Sequence, residues 1–144
     1  MIDQFQGLYR FLSNFWLVTV EYNGQTYISA EHAYQAAKAT CFQDTHRIMQ
    51  CLTPVQAKRL GGQIKMRKDW EEVKVTVMLE ILRAKFTQDP QMQAWLLNTG
   101  DHDLVEGNKW GDTFWGVCNG HGRNMLGKLL MQVRNEIRST INTT

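Results

Sequence analysis

Missing from this sequence are long apolar runs, a cysteine framework, a metal-ligand pattern, a dominant charge and low-complexity segments, and each absence removes a class of function. No stretch approaches about 18 uninterrupted apolar residues, the length a helix needs to cross a bilayer. Met1-Ile2-Asp3-Gln4 is not the basic, then apolar, opening of a secretory leader. A soluble, cytoplasmic protein without a membrane partner is expected. The cysteines, Cys41, Cys51 and Cys118, number 3; odd and far apart, they argue against disulfides and for ordinary buried thiols. The histidines, His32, His46, His102 and His121, show neither HExxH nor a Cys/His cluster, so no metal is expected. Nothing in the pattern asks for a cofactor. With 16 Lys and Arg against 14 Asp and Glu the net charge is +2, too small to announce a dedicated nucleic-acid-binding domain, yet compatible with an anionic ligand. Repeats and interdomain linkers are also missing. A chain of 144 residues, 43% hydrophobic, fits one domain over residues 1–144 with an adequate core.

The stretch from Tyr27 to Lys38 carries the densest chemistry. It begins as the end of a strand, passes Ser29 as a helix N-cap and continues through an alanine-rich helix. At about 100° per residue, Glu31, Tyr34, Gln35 and Lys38 share one face, so a carboxylate, a phenol and an amine project together. The plain alternative is that Glu31 and Lys38 merely complement the helix dipole.

Upstream, Phe5 to Phe15 carries aromatics without periodicity and reads as a folded loop. Trp16 to Tyr22 alternates as a strand, Asn23-Gly24 suits a type I′ turn, and Gln25 to Ile28 returns antiparallel. Downstream, Asp44 or Thr45 caps a short helix bearing Ile48, Cys51 and Leu52. The sequence has 2 prolines, and both punctuate helices: Thr53-Pro54 starts one that ends near Gly61-Gly62, and Asp89-Pro90 starts another ending at Gly100. Between them Asp69 caps the longest helix, with Trp70, Val73, Val77, Ile81 and Phe86 as its core stripe. Lys58, Arg59, Lys65, Arg67 and Lys68 form a basic cluster around the two-glycine turn, either a solvated surface or a landing strip for phosphates.

Beyond Leu104 the texture changes. Leu104-Val105-Glu106 and Thr113 to Val117 are apolar enough for strands. Glu106, Trp110, Asp112 and Trp115 crowd between them, suiting either packing or an aromatic wall for a planar ring. Gly120-His121-Gly122-Arg123-Asn124 precedes a helix with Leu126, Leu129, Leu130, Val133 and Ile137 on its apolar side. That junction reads either as a phosphate cradle of backbone amides or as an Asn-capped helix. The fold class expected is α+β, predominantly helical, with an N-terminal β-hairpin and short strands near residues 104–117.

The ordered blocks Tyr9 to Phe15, Ser29 to Lys38, Ala57-Lys58-Arg59-Leu60-Gly61, Arg67-Lys68-Asp69-Trp70, Leu82 to Phe86, Leu104-Val105-Glu106, Trp115-Gly116 and Gly122 to Gly127 resemble the NADAR, or YbiA-like, family along nearly the whole chain. The resemblance implies a single YbiA-like domain with N-glycosidase activity at the anomeric carbon of an ADP-ribosyl or phosphoribosyl conjugate. Some members resemble enzymes that hydrolyse riboflavin-pathway ribosylaminopyrimidines, while others remove ADP-ribose from guanine in DNA, which makes ADP-ribosylated DNA a candidate substrate. It also implies Glu31 as the catalytic glutamate, Lys38 as a functional lysine and Trp115 as the pocket tryptophan; by analogy with glycosidases a second acid is expected, with Glu106 or Asp112 the candidates. Arg10, Ser13, Asn14, Phe15, His32, Tyr34, Trp110, Gly122, Arg123 and Asn124 complete the implied substrate-binding set. One position departs: Trp115-Gly116 is followed by Val117 where YbiA enzymes carry Asp, which weakens the pyrimidine reading. A non-catalytic ADP-ribose or NAD-binding module is the rival, and nothing in the residues identifies a protein partner.

Overall fold

Asn23 and Gly24, at φ 51° and 77°, turn a strand back on itself, the paired positive φ that a type I′ turn needs. The resulting hairpin pairs β1 (Leu17–Tyr22) with β2 (Gln25–Ser29) antiparallel, with a one-residue irregularity between Leu17 and Val20. Helices dominate the remainder of this α+β fold: α1 (Ala30–Ala36), α2 (Phe42–Met49), α3 (Pro54–Gly61), α4 (Trp70–Gln88), α5 (Pro90–Leu97) and α6 (Met125–Asn142). A second, parallel pair joins β3 (Gly107–Asn108) to β4 (Val117–Cys118). The computed structural model describes residues 1–142. It divides the chain into two compact units, Asn14–Lys85 and the flanking Met1–Ser13 with the chain from Phe86 onward.

In the unit Asn14–Lys85, β2 runs directly into α1, whose residues are all buried. Helices α2 and α3 flank α1. Thr53 caps α3, its hydroxyl accepting from the Gln56 amide, with Pro54 in the first turn, as the sequence predicts. Helix α3 reaches α1 at Gly61, where a Cβ would stand 1.9 Å from Gln35 Oε1. On α4, Trp70, Val77, Met78, Ile81 and Leu82 are buried and Val73 is half-buried. In the other unit, Ile2 bridges to Leu104, Phe11 packs on Trp95 at 5.4 Å, and α6 buries Leu126, Leu129, Leu130, Val133 and Ile137. Arg134 on α6 donates to Thr99 Oγ1 and to the His102 carbonyl, both at 2.9 Å, pinning the segment after α5.

Several local expectations shift. The segment read as a loop holds a 3-10 helix over Gly7–Leu12, because burying Phe11 and Leu12 winds it tightly onto the core. Helix α1 stops at Ala36, short of Lys38: the Lys38 and Ala39 amides close tight turns to Gln35 and Ala36. The Lys38 carbonyl then accepts from the Arg67 amide at 2.8 Å, drawing the chain off the helix axis. Cys41, not Asp44 or Thr45, occupies the N-cap of α2, and Cys51 and Leu52 lie past its end. The strands expected at 104–106 and 113–117 are instead the two-residue pair at 107–108 and 117–118, since Asp112 folds Thr113 to Gly116 into a turn. The cysteines are free thiols, Cys41 exposed and Cys51 and Cys118 half-buried, none of them core.

Candidate active site

Helix α1 is placed by ties at its first turn. Ser29, extended at φ −161°, caps it by accepting from the His32 amide at 3.1 Å. The Glu31 amide donates to the Asn14 carbonyl at 3.0 Å. His32 is fully buried, with Nδ1 2.6 Å from Ser29 Oγ and Nε2 2.9 Å from the Cys51 carbonyl oxygen. A carbonyl only accepts, so Nε2 carries the proton, and Nδ1 accepts a hydrogen bond from the Ser29 hydroxyl. Burial lowers the His32 pKa below 6.5, in keeping with a neutral ring. Both nitrogens are thereby spent on structure, so His32, expected among substrate-binding residues, is a tie between α1 and the end of α2.

On the face carrying chemistry, the Glu31 carboxylate is 7% exposed. Gln35, four residues on, donates Nε2 to Glu31 Oε1 at 2.7 Å, the pairing that helical spacing favours. Lys38 Nζ stands 5.6 Å from the Tyr34 ring centre and 5.9 Å from that of Trp70, rings 5.1 Å apart and tilted by 59°. Among the described residues the Lys38 amine has no hydrogen bond or ion pair; it rests on this aromatic pair. Burial drives its pKa below 10.5, the Glu31 charge acts against that, and Lys58 and Lys74 depress it further. The two functional groups that spacing alone puts about 10 Å apart along the axis therefore share one electrostatic neighbourhood. Two buried oxygens close by, Gln35 Oε1 and Asn14 Oδ1, have no partner. The Asn14 amide nitrogen reaches Met78 Sδ at 3.4 Å, and Phe15, 38% exposed, lies under Lys58.

The loops of the other unit are organised differently. Asp112 Oδ1 accepts from the amides of Phe114 and Trp115 at 3.1 and 2.9 Å. The Asn108 side chain both donates to and accepts from the Asp112 backbone. Asn124, at φ 52°, accepts from the Glu106 amide and donates to the Leu104 carbonyl. The amide cradle expected at Gly122-Arg123-Asn124 is closed. The Arg123, Asn124, Met125 and Leu126 amides donate to the carbonyls of Thr113, Gly116, Phe114 and Trp115, leaving none of the four for an anion. Gly122, at φ 151°, is needed for this apposition, since a Cβ there would lie 2.1 Å from the Gly116 oxygen. Trp115 is half-buried and edge-on to Phe114 at 4.9 Å, Arg123 lies over Phe114 at 5.1 Å, and Trp110 is 61% exposed. The half-buried Glu106 carboxylate stands beside Gly116, with Oε2 3.1 Å from where a Cβ would be. Arg10 lies exposed in the 3-10 helix and Ser13 just after it.

Sequence reasoning treated Trp70 only as core, although its ring also supports Lys38. Lys85 escaped notice altogether: it falls at helical spacing on the buried stripe of Met78, Ile81 and Leu82, is fully buried, and burial lowers its pKa to about 7. Its place on that stripe was the legible signal. Among the described residues no group of three His, Cys, Asp or Glu is arranged to hold a metal, and no helix is long and apolar enough to cross a membrane.

Comparison with known proteins gives a consistent picture. The N-glycosidase YbiA of Escherichia coli is 38% identical over 128 residues, 87% of this chain and 79% of that protein. An N-glycosidase of Nostoc punctiforme is 37% identical over 142 residues, 94% and 90% of the two chains. A riboflavin biosynthesis protein of Vibrio vulnificus is 38% identical over 131 residues, and there the chain spans 35% of the relative's length. The NMR structure of E. coli YbiA superposes with a TM-score of 0.87 at 34% identity, covering 100% of this chain and 90% of that one. The NADAR domain model matches residues 3–138, and the chain belongs to the NADAR family.

Proposed function

We propose that this chain is an N-glycosidase that cleaves the C1′–N bond of ADP-ribosyl or phosphoribosyl conjugates through one domain spanning residues 1–144, with ADP-ribosylated guanine in DNA as the leading substrate. The observation that carries this reading is the pairing of a buried carboxylate, Glu31, with a desolvated amine, Lys38, that rests on two rings and has no ion pair. Positive charge gathers at C1′ as a glycosidic bond breaks, and a carboxylate held in a dry site stabilises it. Gln35 fixes one Glu31 oxygen in place. Burial lowers the Lys38 pKa and so raises the neutral, nucleophilic fraction of its amine above that of an exposed lysine. A proton passes to O4′, the C1′–O4′ bond breaks and the ring-opened N-glycoside becomes an iminium at C1′. The Lys38 amine adds to C1′, a proton passes to the base nitrogen, and the bond to the base breaks. Water then adds to C1′, the bond to Lys38 breaks, and ADP-ribose leaves with the amine restored. The candidates for the acid that protonates the leaving base are Glu106 and Asp112, the latter with Oδ1 engaged by two amides.

Hydrolysis of ribosylaminopyrimidine intermediates is the second reading, favoured by the riboflavin-related name of the Vibrio vulnificus relative and opposed by Val117. Incubation with an ADP-ribosyl-guanine oligonucleotide and, separately, a ribosylaminopyrimidine phosphate, followed by chromatography, distinguishes them. Free ADP-ribose from the first, lost in Glu31→Gln, is the expected result. Turnover confined to the second would reassign the substrate, and tight ADP-ribose binding with no product from either would leave a binding module. Borohydride should trap a covalent adduct in wild type and not in Lys38→Ala; an adduct that survives the substitution dismisses the amine route.

A further inference from the structure

The basic cluster around the two-glycine turn is not uniform. Arg67 is held by Asp69 through paired contacts at 2.6 and 2.9 Å, and Lys74, on α4, is held by Glu71 at 2.6 Å. Lys58 differs from both. It lies exposed in the last turn of α3, with no hydrogen bond or ion pair among the described residues, and its Nζ stands 5.9 Å from the Phe15 ring centre. It is near enough for its charge to act on Lys38, as does Lys74, while Glu31 is the one carboxylate acting on that amine. Positive charge thus gathers where the chain supplies little negative charge to offset it, and like charges in a partly dry site repel.

The backbone holds this arrangement in place. Lys58 lies one turn before Gly61, where α3 meets the Gln35 side chain so closely that even a methyl group would collide. Ala57, beside Lys58, is fully buried. Helix packing therefore fixes the turn that carries the ammonium against α1, with an aromatic ring beneath the charge and, among the described residues, no anion paired with it. A cation on a half-exposed ring next to a candidate glycosidic site matches what a phosphate ester of the sugar requires: a point charge free to donate to two or three oxygens.

We propose that Lys58, seated over Phe15, binds a phosphate group of the ribosyl substrate at the Glu31–Lys38 site. The inference rests on the N-glycosidase reading for the identity of the substrate and adds the residue that holds its phosphate, whether that of a ribose 5-phosphate or the diphosphate of ADP-ribose. Phe15 orients the ammonium without neutralising it.

Calorimetry on the full chain at low ionic strength tests this with ADP-ribose, ribose 5-phosphate, ribose and an unmodified oligonucleotide as titrants. For Lys58→Ala the affinity for one or both phosphorylated ligands falls about 10-fold, the loss expected for one charge-assisted contact. Lys58→Arg stays within about 3-fold of wild type, and any response to ribose is the same in all three proteins. In turnover, Lys58→Ala raises KM far more than it lowers kcat. Which phosphorylated ligand loses affinity identifies the group bound. Equal affinity of wild type and Lys58→Ala for both, absence of binding by wild type, or a loss confined to the oligonucleotide would each overturn the proposal, the last by placing Lys58 on a nucleic-acid backbone. Binding that depends on Lys58 without hydrolysis would end the N-glycosidase reading and keep this one; hydrolysis with an unaltered KM in Lys58→Ala would do the reverse.

Discussion

Around α1, Gln35 Oε1 and Asn14 Oδ1 are buried without partners, and the ammoniums of Lys38 and Lys58 rest on aromatic rings. In the loops between Leu104 and Leu126, Asn108, Asp112 and Asn124 and the amides from Arg123 to Leu126 are almost all engaged with neighbouring backbone. A buried acceptor left unpaired costs about 1–3 kcal/mol, so a fold that carries two such acceptors, one before β1 and one on α1, holds a capacity it does not use internally. The loops spend the same kinds of groups on fixing their own shape. The contrast separates groups left with capacity for a ligand from groups spent on holding others in position.

The largest effect expected is at Glu31. Glu31→Gln keeps an oxygen for the Gln35 amide but removes the charge, and should lower kcat by about 1,000-fold, near 4 kcal/mol of barrier, with the melting temperature close to wild type. Asp112→Asn, its counterpart in the loops, keeps an accepting oxygen and should turn over at near the wild-type rate. A loss at Asp112 as deep as that at Glu31 would break the comparison and make Asp112 a catalytic acid.

Next is Asn124→Ala, which removes the acceptor of the Glu106 amide and the donor to the Leu104 carbonyl. Chemical denaturation should show a loss of about 2–3 kcal/mol, whereas an unchanged midpoint would mean that the loop does not depend on this tie. Gly61→Ala should cost about 1–3 kcal/mol by overpacking and also lower kcat, because Gln35 must move and release Glu31; full activity in a destabilised protein would separate Gln35 from catalysis. The smallest effect is pH-dependent. His32 has a folded pKa below its unfolded value of 6.5, so between the two the unfolded chain binds more protons. Its contribution is complete above 6.5 and is lost as pH falls through the lower, folded value. Urea midpoints from pH 7.5 to 5 should fall, and His32→Gln should flatten part of that slope.

Much of the scaffold was legible in advance. Asn23-Gly24, Ser29, Thr53-Pro54 and Asp89-Pro90 are local signals whose backbone preferences hold whatever surrounds them, and each appears where expected. The face shared by Glu31, Tyr34 and Gln35 follows from helical periodicity, whereas Lys38 lies past the end of α1. The phosphate reading of Gly122-Arg123-Asn124 went astray because glycines beside a helix start look the same whether their amides face solvent or, as here, the carbonyls of residues 113–116. Lys85 was overlooked because a lysine on a helix is ordinarily solvated, and burial is a property of what packs above it.

By itself, the sequence determined where the chain turns, which residues begin its helices and which side chains share the α1 face, since these depend on neighbours within a few positions. Only the tertiary structure decided that His32 is a tie, that Asp112 serves a turn, that Trp70 supports Lys38, and that Lys58 lies over the Phe15 ring. Hydrogen-bond capacity and desolvation are settled by residues distant in the chain. A group's freedom to act is what remains after folding has used the rest.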